Sequence, residues 1–313
     1  MWTESGQGML VGRNMDWKSD MPTDLWVLPR GTDRVGMPDD SNPLRWTASY
    51  GSLVASPWNI TTADGLNEAG LGGHVLWLAD SDFGPRTPAL PALSASLWMQ
   101  YFLDCFATVD EVVGDLSRRP VQVRPTYAQG ETSTIHLAFE DRSGDSVVLE
   151  YVDGTPRVHH DRNYTVMTNS PPFEEQLAHL KRYEGFGGAE QLPGTTQAAD
   201  RFVRASYYSA RLPKADTKKR AYAALLSVMR NAAQPFGTGD PARPDISSTL
   251  WRTMLDLSDR VYAFESSFSP DIVWVHPDRL DHGRCLRLDL SSDDLVGDVT
   301  DRFTAADPFT FVP

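Results

Sequence analysis

Short apolar runs separated by turn residues dominate the first part of the chain. Met9 to Asp16 reads as a strand, and Asp24 to Pro29 as a second, stopped by Pro and Gly. Trp46–Ser56 and Asn59–Leu78 continue in strand-like pieces broken by Gly. From about Leu90 to Arg118 the pattern turns helical. It predicts two helices meeting near Thr108, a good N-cap ahead of Asp110 and Glu111. Strands return at Ser133–Glu140, Ser146–Tyr151 and Tyr164–Thr168, and helices at Phe173–Arg182, Ala198–Ala210 and Lys218–Asn231. Strands near Thr249–Asp256, Val261–Glu265, Ile272–His276 and Arg284–Leu290 close the chain. Blocks of strands and blocks of helices, without strict alternation, predict an α+β fold of antiparallel sheets covered by segregated helices. No repeat, low-complexity linker or composition shift divides residues 1–313, which read as one domain. Thr3–Gly8 is a turn by composition, yet only Met1 and Trp2 precede it, so the hairpin it implies lacks most of its first strand.

Composition narrows the function. Hydrophobic residues make up 41% and charged residues 23% of the chain, as in ordinary globular proteins. Acidic residues outnumber basic ones 42 to 29, a net charge of -13, which argues against a nucleic-acid partner because that affinity rests on cations. No apolar run approaches a bilayer-spanning length, which argues against a membrane partner, and the first residues carry no signal-peptide pattern. The two cysteines, Cys105 and Cys285, could pair but are too few for a disulfide framework or a zinc site. Cys105 lies in a helical run and reads as a small core residue, and Cys285 reads the same way.

A phosphate loop, a His-Glu-x-x-His pair and a Gly-x-Ser-x-Gly elbow are all missing from the sequence. His159 and His160, as strand neighbours, point to opposite faces and make a poor metal clamp, so no metal or other cofactor is expected. Four segments stand out. Gly12-Arg13-Asn14-Met15-Asp16-Trp17 ends the first strand with a cation, an amide and a carboxylate. Asp64 to Gly73 is a turn into a Gly-rich strand leading to Trp77. Thr168-Asn169-Ser170-Pro171 ends a strand with an amide, and Arg201-Phe202-Val203-Arg204 lies on a helix. Each has a plain structural reading: an Arg13–Asp16 ion pair, Asn169 as a turn former, Arg201 as a helix-face charge.

Taken together, in this order and spacing, these segments resemble the choloylglycine hydrolase family, which includes bile salt hydrolases and penicillin V acylases. The resemblance runs nearly end to end. Asp16-Trp17, Val75-Leu76-Trp77-Leu78, Ala199 to Ala205, Trp251-Arg252-Thr253 and Phe264-Glu265-Ser266 look closest to the Gram-negative type of penicillin V acylase. The resemblance implies an αββα sandwich and an N-terminal Cys whose thiol attacks an amide carbonyl. The free α-amine of that Cys would act as base, with an ordinary pKa of about 7.7–8.0. By match, Arg13 would help hold the sulfur as thiolate. Asp16 would orient the α-amine, and Arg201 would support the charge environment of the nucleophile. Asn169 and the Trp77 backbone N–H would receive the oxyanion, donors worth ~3–4 kcal/mol each in a transition state. Trp17 and Trp77 would line an acyl pocket for an aromatic or long apolar group. The implied partner is a small amide such as penicillin V or an N-acyl homoserine lactone. Bile salts fit less well, because the bile salt enzymes carry Asn where this chain has Trp77. The family also implies a bacterial homo-oligomer, often a tetramer.

The chain departs from the family pattern at its start. The motif begins with Cys, usually followed by Thr, whereas Met1-Trp2 matches the end of that first strand. About five residues are missing from the hairpin. Either the true start lies upstream and carries the Cys, or the protein is a non-catalytic binder that keeps the pocket. Neither Cys105 nor Cys285 could substitute, since neither carries a free α-amine. The compartment stays open on the same ground, because an N-terminal Cys can be exposed by Met removal or by signal cleavage.

Overall fold

The computed structural model describes residues 1–237, 247–269 and 271–313. Among these residues two sheets carry the fold. The larger is antiparallel throughout. Its strands run in the order β14 (Thr155–His160), β13 (Ser146–Val152), β12 (Ile135–Glu140), β7 (Gly72–Trp77), β6 (Asp64–Asn67), β5 (Ser52–Pro57), β2 (Thr23–Leu28), β18 (Leu286–Leu288) and β20 (Thr304–Ala305). The smaller sheet runs β1 (Leu10–Trp17), β15 (Ser248–Asp256), β16 (Val261–Ser266), β17 (Ile272–Val275) and β19 (Gly297–Asp298), with only the last pair parallel. Short ribbons join β3 (Asp33–Val35) to β4 (Arg45–Thr47), β8 (Ala92–Ser94) to β9 (Gln122–Arg124), and β10 (Tyr127–Ala128) to β11 (Glu131–Thr132).

Both faces of the large sheet are covered, so its central strands are buried at nearly every position. Leu25, Val27, Leu53 and Ala55 point between the sheets, where they meet Val11, Leu255 and Phe264. Trp26, Leu28 and Val54 point outward to α1 (Ala95–Cys105) and α2 (Val109–Arg118). Helix α1 is buried from Ala95 to Asp104 because it is covered twice. Its outer side lies under the β3–β4 ribbon, where Trp46 packs edge-on to Tyr101 at 5.2 Å, and the C-terminal segment passes its start, with Phe309 edge-on to Trp26 at 5.2 Å. The hydroxyls of Ser94 and Ser96 donate to the Val312 carbonyl at 2.8 and 2.5 Å. On the far side of the small sheet, α5 (Lys218–Asn231) sets Leu225 and Met229 against Leu10, Met254 and Ala263. Helices α3 (Phe173–Leu180) and α4 (Ala198–Ser209) place Phe173 and Phe202 on Val148 of β13. The result is the expected sandwich of two sheets between helical layers.

Most predicted elements are present, including the Thr108 cap, whose hydroxyl accepts from the Glu111 N–H at 3.2 Å. Trp2 pairs with Leu10 through two backbone bonds across the Thr3–Gly8 turn, in which Gly6 and Gly8 sit at φ +74° and +100°. Three expectations fail. Tyr164–Thr168 is irregular, because β14 takes the place beside β13 and the segment's polar groups bond to the Asp161–Asn163 turn, Ser146, the Met1 α-amine, Gln176 and Ala198. Asn169 therefore follows a loop rather than a strand. Leu90–Ser94 is not helical, since Ala92–Ser94 pairs with β9 before α1 begins. The cysteines are free and only half-buried at the margin of the outer core, Cys105 being the last residue of α1. Among the described residues no helix is long and apolar enough to cross a membrane.

Gly65 reports on how tightly β5 and β6 approach. A Cβ there would lie 2.5 Å from the Leu53 carbonyl oxygen and 3.0 Å from the Val54 Cα, both backbone atoms that cannot yield. Gly65→Ala should destabilise the protein by about 1–3 kcal/mol, read as a lower midpoint in urea unfolding with an unchanged slope.

Candidate active site

A cavity of about 310 Å³ opens between the sheets, and Arg13, Asp16, Trp17, Trp77, Asn169 and Arg201 all line it. Segments far apart in sequence meet here because β1 lies at the edge of the small sheet while β7 and β12 lie inside the large one.

Arg13 points inward from β1, as its neighbours Val11 and Met15 do. Gly12 and Asn14 face α5 instead, where Asn14 donates to the Met229 carbonyl at 2.8 Å. The Arg13 guanidinium crosses to the large sheet and donates to the carbonyls of Ala63 at 2.7 Å and Val75 at 2.5 Å. Its face lies over Trp251, 5.1 Å from the ring centroid. Burial lowers its pKa and Asp64, at 3.6 Å, opposes that fall. The Arg13–Asp16 ion pair is not formed, since Arg13 faces Asp64 while Asp16 pairs with Arg201.

The other polar residues form one chain. A register shift between Met15 and Asp16 turns the Asp16 carboxylate toward α4. There it accepts from Arg201 and Gln234, each at 2.9 Å, and from the Thr249 hydroxyl. Arg201 donates from its second terminal nitrogen to the Asn169 Oδ1 at 2.9 Å. A guanidinium only donates, so this contact fixes the orientation of the Asn169 amide. The Asn169 Nδ2 then donates to the Trp77 carbonyl at 3.0 Å and keeps a second hydrogen for the cavity. Backbone donors alternate along β7. Val75 N–H bonds to Ala63, Leu78 N–H bonds to Thr134, and the Trp77 N–H points away from β12, beyond the start of β6.

Asn169 sits in a loop held by α3. Gln176 donates to the carbonyls of Asn169 at 2.6 Å and Pro171 at 2.7 Å, and its own oxygen meets the Thr168 hydroxyl at 3.0 Å. The start of α3 is anchored in turn by Glu150 of β13, which accepts from the Phe173 N–H at 3.1 Å, His136 at 2.8 Å and His159 at 3.3 Å. Burial pushes the Glu150 carboxyl up, but the hydrogen bonds from His136 and His159 outweigh it and hold the group at about 2.

The apolar part of the cavity has Trp17 on one side, packed edge-on against Trp58 at 6.1 Å, with Met21, Ile60 and Val312 nearby. Reading the sequence missed Trp58, Gln176 and Gln234. It also gave no role to His74 or Glu140, which line the cavity. Their signal was present. Asp64, His74 and Glu140 are charged or titratable residues on buried central strands, where polar side chains are rare unless paired. Cys105 and Cys285 do not line the cavity.

Comparison with known proteins agrees with this architecture. The family described as linear amide C-N hydrolases, choloylglycine hydrolase family, matches residues 1–293. Penicillin V acylase of Pectobacterium atrosepticum is 39% identical over 330 aligned positions, covering 96% of this chain and 88% of that protein. The bile salt hydrolase/transferase of Clostridium perfringens is 25% identical, covering 82% of this chain and 85% of its own length. Among solved structures, penicillin V acylase from Agrobacterium tumefaciens superposes with a TM-score of 0.90 at 41% identity, covering 99% of this chain and 98% of that one. A mutant conjugated bile acid hydrolase from Clostridium perfringens shares the fold, with a TM-score of 0.77 at 20% identity over 95% of this chain and 96% of that one.

The Glu150 anchor carries a pH signature. A carboxyl depressed in the folded state stabilises fully above its ordinary pKa of 4.5, and that stability is lost as pH falls toward about 2. Glu150→Gln should therefore be less stable than wild type near neutrality, and the gap should narrow as pH falls from about 4.5 toward 2. Urea midpoints measured across that window check the sign.

Proposed function

The chain belongs to the choloylglycine hydrolase family of linear amide C-N hydrolases, and from that membership and the pocket geometry we propose that it deacylates secondary amides bearing an aromatic or long apolar acyl group. The observation that carries this reading is the Asn169 amide, fixed by Arg201 with a free N–H beside Trp77 in a cavity walled by indoles. In this reading the acyl group lies against Trp17, Trp58 and Trp77. The carbonyl oxygen points at Asn169 Nδ2 and the Trp77 N–H. As the carbonyl carbon becomes tetrahedral, charge collects on that oxygen, and these donors stabilise it without reorganising.

The nucleophile in this proposal is a Cys upstream of Met1. Trp2 pairs with Leu10, so residues preceding Met1 in the same antiparallel register would run beside β1 toward Arg13. A thiol delivered there would attack the carbonyl as thiolate beside the Arg13 cation, and its own α-amine would pass the proton to the departing amine. Asp16, already held by Arg201, Gln234 and Thr249, would orient that amine. The relatives named penicillin V acylase make penicillin V the first substrate to test, with long-chain N-acyl homoserine lactones beside it. Assembly into a homo-oligomer belongs to the same reading.

Two proteins decide the matter: residues 1–313, and the same chain extended through the upstream coding sequence to the nearest in-frame Cys. The extended protein should release amine from penicillin V or the acyl lactone, and residues 1–313 should not. Asn169→Ala in the active form should lower kcat by about 10²–10³ while leaving substrate binding largely intact. If both proteins fold and bind these amides yet cleave neither, the hydrolase reading falls and a binding role replaces it.

A further inference from the structure

Behind Arg13 lies a row of buried charges that the reaction outlined above does not use. His74 of β7 stands directly opposite Asp64 of β6, and Glu140 of β12 lies on the same inward face. The His74 Nδ1 is 2.5 Å from Asp64 Oδ2, and its Nε2 contacts Glu140 Oε1. All three side chains are at least nine-tenths buried. Ionised carboxylates can only accept, and a neutral imidazole has one N–H, so a ring held between two carboxylates must donate from both nitrogens as an imidazolium.

The consequence reaches Arg13 through Asp64. His74 occupies Asp64 Oδ2, and the Tyr262 hydroxyl of β16 occupies Oδ1 at 2.7 Å. Arg13 is left 3.6 Å from that carboxylate, beyond hydrogen-bond range, and donates to the neutral carbonyls of Ala63 and Val75. A guanidinium free to pair with a neighbouring carboxylate normally does so in bidentate fashion, which would turn it from the cavity and neutralise its field.

We propose that His74 is a positioning residue for amide hydrolysis: clamped as a cation between Asp64 and Glu140, it draws Asp64 away from Arg13 and leaves the guanidinium charge available to the nucleophile. The inference rests on the hydrolase reading above for its functional meaning, but the clamp itself can be observed without turnover. The charged and titratable groups facing His74 are Asp64 on β6 and Glu140 on β12; Arg13 on β1 and Tyr262 on β16 face Asp64, and the Met1 α-amine faces Glu140. Burial pushes the imidazole down, and the two carboxylates outweigh it and raise it to about 9, so the cation persists through neutrality and is lost as pH rises through that value.

In the active enzyme, His74→Asn should lower kcat/KM on the order of 100-fold, through kcat with KM little changed. It should also move the acid limb of the pH profile upward, because Arg13 drawn onto Asp64 holds the thiolate less well. Glu140→Gln keeps an oxygen facing Nε2 and removes only the charge. It should fold, work normally at the acid end, and lose activity about one pH unit or more earlier on the alkaline side. Losses of stability with both limbs in place would reduce His74 to a structural residue and overturn the proposal. The readout independent of turnover is NMR of the ring nitrogens of His74 and the side-chain nitrogens of Arg13 in residues 1–313. Both ring nitrogens should stay protonated to about pH 9, and the Arg13 signals should shift with the same midpoint. Arg13 signals indifferent to His74 titration would sink the idea even in an active enzyme. If no form of the protein cleaves amides, the hydrolase reading fails and this coupling alone decides whether the clamp exists.

Discussion

Arg201 reaches Asp16 with one terminal nitrogen and Asn169 with the other. Those two bonds tie the end of β1, the body of α4 and the loop before α3 into one geometry. The pair is nearly closed to solvent on both sides. Removing one member of such a pair leaves an uncompensated buried charge, a loss of about 3–5 kcal/mol. Gln234 and Thr249 take two more acceptor positions of Asp16 and leave one on Oδ1 open, and the Thr196 carbonyl takes the Arg201 Nε–H. A merely stabilising contact would not need every donor aimed. Here the aiming is what leaves one Asn169 hydrogen facing the cavity.

Two kinds of interior share the space between the sheets. Toward β2, β5 and β16 it is aliphatic and aromatic, and it supplies the area removed from water that drives folding. Toward β6, β7 and β12 it holds Arg13, Asp64, His74 and Glu140, with signs that alternate along the row. Burying four ionisable groups is expensive unless each finds an opposite charge and hydrogen bonds. An apolar row of the same volume would usually be at least as stable. The polar row is therefore better understood by what it does to the electrostatics of the cavity than by what it adds to stability.

The sheet and helix layers could be read from the chain because local signals agree with tertiary demands. The Thr108 cap, the Lys218–Asn231 helix and the late strands all lie where pattern and composition put them. Tyr164–Thr168 misleads because its residues favour a strand while its backbone groups bond to the Asp161–Asn163 turn, Ser146, the Met1 α-amine and Gln176 instead of a ladder. Arg13, Asp16, Asn169 and Arg201 were legible only as a set, through family resemblance, since each alone resembles a surface charge or a turn former. His74 and Glu140 stayed hidden for a different reason. Sixty-six residues separate them, and only the β7–β12 register brings them together. Trp58 follows β5 directly and gives no hint in sequence that it meets Trp17.

The segment from Phe309 to Val312 does two things at once. It packs on Trp26 beside the start of α1, and Val312, bonded through its N–H to the Ile60 carbonyl at 3.1 Å, forms part of the cavity wall. One stretch of chain is thus both a cover on the core and a wall of the cavity. That wall cannot be reshaped without also loosening or tightening the packing on Trp26 and at the start of α1. Cavity shape and thermal tolerance are coupled traits in this scaffold, and variants that alter one should drift in the other.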